Sequence, residues 1–253
     1  LGVPDTVGIP ASKVAEAYIA LGARPTFTCA PYFLDDRPVF GEQIAWAESN
    51  AVVFANSVIG ARTLKYPDYL DVCVAITGRA PRTGCHLDEA RRPTLAVEIA
   101  PEDGTGAALD NDVLYPLLGY LLGARSEHHV PIVSGLEQSN PTVDDLKALC
   151  AAFATTSSAP MLHIRGITPE AKGTGQGSAP VAPVETAVVT RDEVRALWQR
   201  FGARSAGEPV DLIAIGNPHC SVDEIARMDR LFGERRCRDG IGFVVTCGQE
   251  VYE

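Results

Sequence analysis

Nowhere does the sequence hold an apolar run near the ~20 residues that a membrane-spanning helix needs, so a membrane span is not expected. It also lacks any Lys/Arg cluster with interleaved aromatics. Twenty-two basic residues stand against 32 acidic ones, a formal charge of -10, and nucleic acid is a poor partner because phosphate neutralisation dominates such binding. CxxC, HExxH and GxSxG are all missing, which removes the common zinc signatures and the serine-hydrolase elbow. The seven cysteines, at 29, 73, 85, 150, 220, 237 and 247, are odd in number and scattered. That pattern argues against a secreted disulfide framework and for a reduced, cytoplasmic setting.

What remains is the material of a globular α/β protein. The 253 residues are 46% hydrophobic, enough for a sizeable buried core. "TLAVEIA", "VPIVSG", "PMLHIRG", "ETAVVT", "VDLIAIG" and "GFVVTCG" are short apolar runs suited to buried strands. Between them lie helical patterns: "DNDVLYPLLGYLLG", "TVDDLKALCAAFA", "RDEVRALWQRFG" and "VDEIARMDRLFG". Thr190 with Glu193, and Ser221 with Glu224, have the spacing of capping boxes and fix two helix starts. Near the beginning, "SKVAEAYIALG" reads as a helix capped by Ser12 and stopped by Gly22, and "RPTFTCAPY" as a short strand.

This alternation predicts a mainly parallel sheet covered by helices. A first lobe is expected over 1–169 and a second over 185–253, joined by the Gly/Ala/Pro-rich connection 170–184. The GTGQG inside that connection lacks the strand and helix that a nucleotide loop requires. The start without Met and the close on "VVTCGQEVYE" are those expected of a piece of a longer polypeptide.

Three stretches carry candidate chemistry. In "VDLIAIGNPHCSVDEIARM" a strand is expected to end at Gly216, with an Asn217-Pro218-His219-Cys220 turn leading to a helix capped by Ser221. Ligands of open α/β sheets gather at such carboxyl ends, so His219 and Cys220 are candidates beside a solvated His and a buried Cys. Cys29 in "FTCAPYF" is either a small apolar side chain or, paired with a second strand-end cysteine, a thiolate ligand for iron. "TGRAPRTGCHLDEARRPT" gathers Arg79, His86 and Asp88 in a carboxylate-binding rim or a solvated charge run. Cys73, Cys150 and Cys237 read as core packing. Finally, "GEQIAWAESNAVVFANSVIGARTLKYPDYLD" has helical apolar spacing from Ile44 to Val58, yet sets Glu48, Ser49, Asn50, Asn56 and Ser57 among its apolar positions.

Together "TCAPYF", that long stretch, "AITGRAP", "GCHLDEARRPT" and "AIGNPHCSVDEI" resemble the aconitase X family, in that family's order and over nearly the whole chain. The resemblance implies an aconitase-like, three-layer α/β/α fold with mainly parallel sheets in two lobes. It implies a hydro-lyase component that dehydrates a small hydroxy acid, cis-3-hydroxy-L-proline first, with phosphomevalonate dehydratase or a metal-free binding module as alternatives. The implied cofactor is an iron-sulfur cluster or mononuclear iron, held by Cys29 and by either Asn217 or Cys220. The implied partner is a small swivelling domain or subunit that carries a catalytic serine. Glu48, Ser49 and Asn50 become the counterpart of a site-lining stretch, with His86 and Asp88 as further catalytic candidates. Asn56, Ser57, Arg62, Lys65, Arg79, His219 and Ser221 become substrate neighbours.

Overall fold

The computed structural model describes residues 3–100, 111–172, 185–202 and 209–252. Its elements run α1 (Asp5–Ala20), α2 (Ser49–Phe54), α3 (Leu70–Thr77), β1 (Leu95–Ile99), α4 (Asn111–Ser126), β2 (Pro131–Ser134), α5 (Val143–Thr156), β3 (His163–Ile164), β4 (Glu185–Val189), α6 (Arg191–Phe201), β5 (Leu212–Cys220), α7 (Val222–Phe232), β6 (Gly242–Cys247) and α8 (Gln249–Tyr252). All six apolar runs form strands, and the four helical patterns between them form helices. Strand pairing is parallel in both sheets, one ordered β3-β2-β1-β4 and the other β5-β6. This is the expected α/β class with flanking helices.

Pairing of β4 with β1, from Leu95↔Glu185 to Ile99↔Val189, crosses the lobe boundary expected at 185. Most of the expected connection, including GTGQG, lies outside the described residues.

The core sits between the four-stranded sheet and α4 and α5. Leu95, Val97 and Ile99 of β1 alternate inward and meet Leu118 and Leu122 of α4 and Leu149 and Phe153 of α5. The helix pair is close because Gly119 has no side chain: a Cβ there would lie 2.2 Å from the Leu149 carbonyl oxygen. All three helices α5, α6 and α7 start in capping boxes, including one at Thr142 and Asp145 in addition to the two expected.

Four local expectations are corrected. Helix α1 begins at Asp5, directly after Pro4, and runs through Pro10 with one backbone donor missing, so Ser12 is interior and caps nothing. "RPTFTCAPY" forms no strand. Phe27 takes φ +44, the Thr28 hydroxyl accepts the Ala30 N–H at 3.0 Å, and Pro31–Phe33 makes a 3-10 turn, so local side-chain bonding replaces a ladder. In the 44–58 stretch only Ser49–Phe54 is α-helical, with Glu48 as its cap; Ala55–Ile59 widens into a π-helical turn. The expected turn at 217–220 is instead strand: β5 continues to Cys220 through a cis Asn217-Pro218 bond, with a register shift against β6 between Ile215 and Cys220.

Candidate active site

The long β5 brings three separate sequence stretches to one seam. The backbone N–H of His219 donates to Cys29 Sγ at 3.1 Å, and Asn50 Nδ2 donates to the Cys29 carbonyl at 3.1 Å. Asn50 is buried and spoken for on both sides: it also meets Glu48 Oε2, and its Oδ1 accepts from Tyr32 Oη at 2.9 Å. Burial raises the Tyr32 phenol well above its ordinary value, so it stays a neutral donor. Glu48 Oε2 caps α2 by accepting the Ala51 N–H at 3.0 Å. Glu48 and Ser49 themselves are exposed at the mouth of a cleft of about 1000 Å³.

That cleft runs from the start of α2 along α5 to the β5–α7 junction, and it is lined by Glu48, Ser49, Asn50, Asn217 and Cys220 among the expected residues. Ser221 stands at its edge, capping α7 and donating from Oγ to Asp144 Oδ2 at 2.8 Å. His219 Nδ1 is buried without a hydrogen-bond partner among the described residues. Cys220 is buried, and desolvation raises its thiol above the ordinary range.

The remaining candidates gather elsewhere and do not line the cleft. Asn56 spends its amide on backbone and core: Nδ2 donates to the Thr63 and Pro160 carbonyls at 3.0 and 2.9 Å, while Oδ1 accepts from Thr63 N–H and Arg91. Ser57 Oγ accepts the Leu162 N–H at 3.0 Å. Lys65 closes the end of α5 by donating to the Ala154 and Ser157 carbonyls at 3.2 and 2.7 Å, and burial lowers its pKa. Arg62 pairs with the exposed Asp88 carboxylate. Arg79 is exposed just after α3. Of the cysteines assigned to the core, Cys150 is buried, Cys73 is exposed and Cys237 lies between.

His86 is buried with both ring nitrogens occupied. Gln43 Nε2 donates to the His86 carbonyl, which turns its Oε1 toward His86 Nδ1 at 2.6 Å. Nδ1 therefore carries the proton, and Nε2 accepts from Tyr66 Oη. Burial, then the nearby Arg62 and Arg91, lowers the His86 pKa; burial likewise lowers that of His163, whose Nε2 meets the Arg91 carbonyl at 2.7 Å. Both rings are held neutral when folded, whereas the unfolded chain protonates them near the ordinary value of about 6.5. Stability is accordingly full above that pH and falls as pH drops below it, by up to about 1.4 kcal/mol per pH unit for each ring until the folded values are reached. Urea midpoints at pH 7.5 and 5.5 test this; equal midpoints would contradict it.

Several site residues carried no motif. Lys147, 2% exposed, projects from α5 and meets Glu224, Asp144 Oδ1 at 3.3 Å and the His219 carbonyl at 3.3 Å. Cys247, at the end of β6, is the register partner of Cys220. A Cβ on Gly248 would sit 3.3 Å from Thr28 Oγ1, so this strand end also abuts the Cys29 loop. The available signal is Cys247 near the end of the apolar run "GFVVTCG", which reads as a strand. The cleft wall is acidic: Glu48, Asp112, Asp144, Asp145, Asp223 and Glu224 face Lys147, Arg227 and Arg230. Lys147 is already ion-paired, and Arg227 Nη1 pairs with Asp112 at 2.6 Å.

Models of the aconitase X first domain and the aconitase X second domain match residues 1–89 and 93–199. The chain belongs to the aconitase X family. It is 47% identical over 251 residues to a cis-3-hydroxy-L-proline dehydratase of Pseudomonas aeruginosa, covering 99% of this chain and 42% of that protein. A cis-3-hydroxy-L-proline dehydratase of Hypocrea jecorina is 46% identical with the same coverage. The phosphomevalonate dehydratase large subunit of Methanothermobacter thermautotrophicus is 36% identical over 217 residues, 85% of this chain and 50% of that one. A crystal structure of Thermococcus kodakaraensis aconitase X in its holo-form superposes with a TM-score of 0.84 at 31% identity, covering 100% of this chain and 61% of that chain. The chain thus spans about two fifths of the length of the dehydratases most like it among these.

Proposed function

We propose that this aconitase X chain is the cleft-bearing part of a dehydratase that removes water from a small hydroxy acid, with cis-3-hydroxy-L-proline as substrate. The observation that carries the reading is the convergence of Cys220 and the Glu48-Ser49-Asn50 stretch on one acidic cleft, with Cys29 tied by hydrogen bonds to the cleft-lining Asn50 and to the His219 backbone. The names of the two relatives near 47% identity support the substrate. So does charge: six carboxylates against three cations, two of them ion-paired, suit a ring ammonium and repel a phosphate.

Dehydration takes a proton from the carbon beside the carboxylate and hydroxide from the neighbouring carbon. Glu48 is the candidate base: Oε2 is fixed by the Ala51 amide and Asn50, which leaves Oε1 to the cleft. Ser49, at the cleft mouth, would bind the substrate's polar groups, and the acidic wall its ammonium.

The donor set suits iron in kind. Cys29 and Cys220 offer soft thiols, and Cys29 receives a backbone N–H. Among the described residues no three His, Cys, Asp or Glu side chains form a metal-holding group, so these thiols would supply part of a coordination shell. Iron bound there would act as a Lewis acid on the departing hydroxyl. The reading includes a reduced cytoplasmic setting, because thiol ligands must stay reduced, and a small partner domain or subunit that carries a catalytic serine.

Anaerobic purification of the intact protein, with iron and sulfide analysis and dehydration assays on cis-3-hydroxy-L-proline and phosphomevalonate, tests the proposal. Turnover of the first is expected, with Glu48→Gln lowering kcat about 100-fold or more and Cys29→Ala lowering bound iron. Turnover of phosphomevalonate alone would replace the substrate. A folded protein with neither metal nor turnover would leave a binding module.

A further inference from the structure

Lys147 is a buried cation that the reaction sketched above leaves without a task. It reaches every part of the seam from one point: Nζ donates to the His219 carbonyl at 3.3 Å, pairs with Glu224 in the α7 cap and with Asp144 at 3.3 Å, and lies 5.4 Å over the ring of Phe33. Phe33 ends the short turn that follows Cys29. Asp144 in turn accepts from Ser221. Helix α5, the Cys29 loop and the β5–α7 junction thus share a single ammonium group. A surface ion pair contributes little, but a cation with 3% side-chain exposure is fixed in place by its partners and fixes them in return.

We infer that Lys147 is a positioning residue, which holds the His219 carbonyl and so fixes the backbone on both sides of it, the His219 N–H that donates to Cys29 Sγ and the Cys220 that lines the cleft. Glu224 takes part because it accepts the Ser221 N–H at 2.9 Å, tying the ammonium to the first turn of α7. This inference rests on the proposed function for its bearing on catalysis and on geometry alone for its bearing on the seam.

The test compares the intact protein with Lys147→Met, Lys147→Arg and the double variant Lys147→Met/Glu224→Gln. The double variant leaves no unpaired Glu224 charge and keeps a side chain able to cap α7. Amide hydrogen exchange over 216–221 and iodoacetamide labelling of Cys29 are read by mass spectrometry, with β1 and β2 as internal references. Both Met variants are expected to speed exchange over 216–221 and Cys29 labelling about tenfold, the reference strands staying unchanged and Lys147→Arg retaining most of the protection. Unchanged rates, or a rise equal to that of β1 and β2 in the double variant, would overturn the inference. Kinetics separate the two proposals. If the unsubstituted protein fails to dehydrate, the functional reading falls and the exchange result still decides the seam. If it turns over and the double variant keeps kcat despite a loosened seam, the positioning role in catalysis falls. A lowered kcat with little change in KM supports it.

Discussion

Replacing Arg91 with Met is expected to cost about 3–5 kcal/mol, the penalty for breaking a buried charge pair and stranding its partners. The Arg91 side chain is 2% exposed, and its guanidinium binds three separate positions, Asn56, Cys85 and Glu170. Nη1 donates to Asn56 Oδ1 at 3.2 Å and to the Cys85 carbonyl at 3.1 Å, Nη2 donates to the Asn56 carbonyl at 2.8 Å, and Nε reaches Glu170 Oε1 at 2.9 Å. Met fills the volume but satisfies none of these acceptors, and it leaves the Glu170 carboxylate in a partly buried place without its cation. Lysine should rescue little, because one ammonium cannot span carbonyls and carboxylate in the guanidinium's planar arrangement. Urea unfolding gives the magnitude; a loss under about 1 kcal/mol would contradict this account. A second readout is local. Cys85 is buried beside Arg91, and its thiol is pushed up to about 11, so it should resist alkylation until the segment opens. Faster labelling of Cys85 in Arg91→Met, under conditions where Val97 and Leu118 amides stay protected, would place the damage in this network.

Arg91 also illustrates what the sequence could and could not reveal. Strands such as 95–99 and helices such as 191–201 were legible because apolar periodicity and capping chemistry act within a few residues. Their parallel pairing followed from the alternation of types. The role of "DEARRP" was not legible, since the sequence places Arg91 among solvated charges and only the return of Asn56 and Glu170 from distant positions buries it. The same holds for Lys147, which looks like an ordinary helix-surface residue in "VDDLKALCAAFA" until His219 and Glu224 arrive against it. The polar residues of the 48–57 stretch stand out in the sequence, and the fold gives them two different reasons. Glu48, Ser49 and Asn50 lie at the cleft, whereas Asn56 and Ser57 stabilise a π-helical turn and the chain beside it. Spacing cannot separate these cases, because both place a hydrogen-bonding group next to the core. The expected turn at "GNPHC" failed for a related reason: Pro and Asn suggest a break, yet tertiary pairing with β6 resumes at Cys220.

Gly216→Ala should be nearly as damaging, by about 2–6 kcal/mol, and its harm should concentrate on the site. Gly216 takes φ +109, outside the range that a side chain accepts without strain, a term of about 1–3 kcal/mol. A Cβ there would also sit 2.2 Å from the Thr246 carbonyl oxygen and 2.6 Å from Thr246 Oγ1, and forcing such an overlap adds about 1–3 kcal/mol. The strands cannot simply part, because Thr246 Oγ1 donates to the Gly216 carbonyl at 2.6 Å and the register shift begins beside this residue. Moving β5 off β6 would withdraw the His219 N–H from Cys29 and separate Cys220 from Cys247. Gly240→Ala supplies the control: Gly240 has φ +86 with nothing among the described residues within 4 Å of its would-be Cβ, so it isolates conformational strain from contact. Gly216→Ala should therefore unfold at lower urea than Gly240→Ala and expose Cys29 to alkylation, while Gly240→Ala leaves Cys29 as slow as in the unsubstituted protein. Equal midpoints for the two variants would show that the Thr246 contact relaxes freely, and the close approach of β5 to β6 would then not be what holds the seam in register.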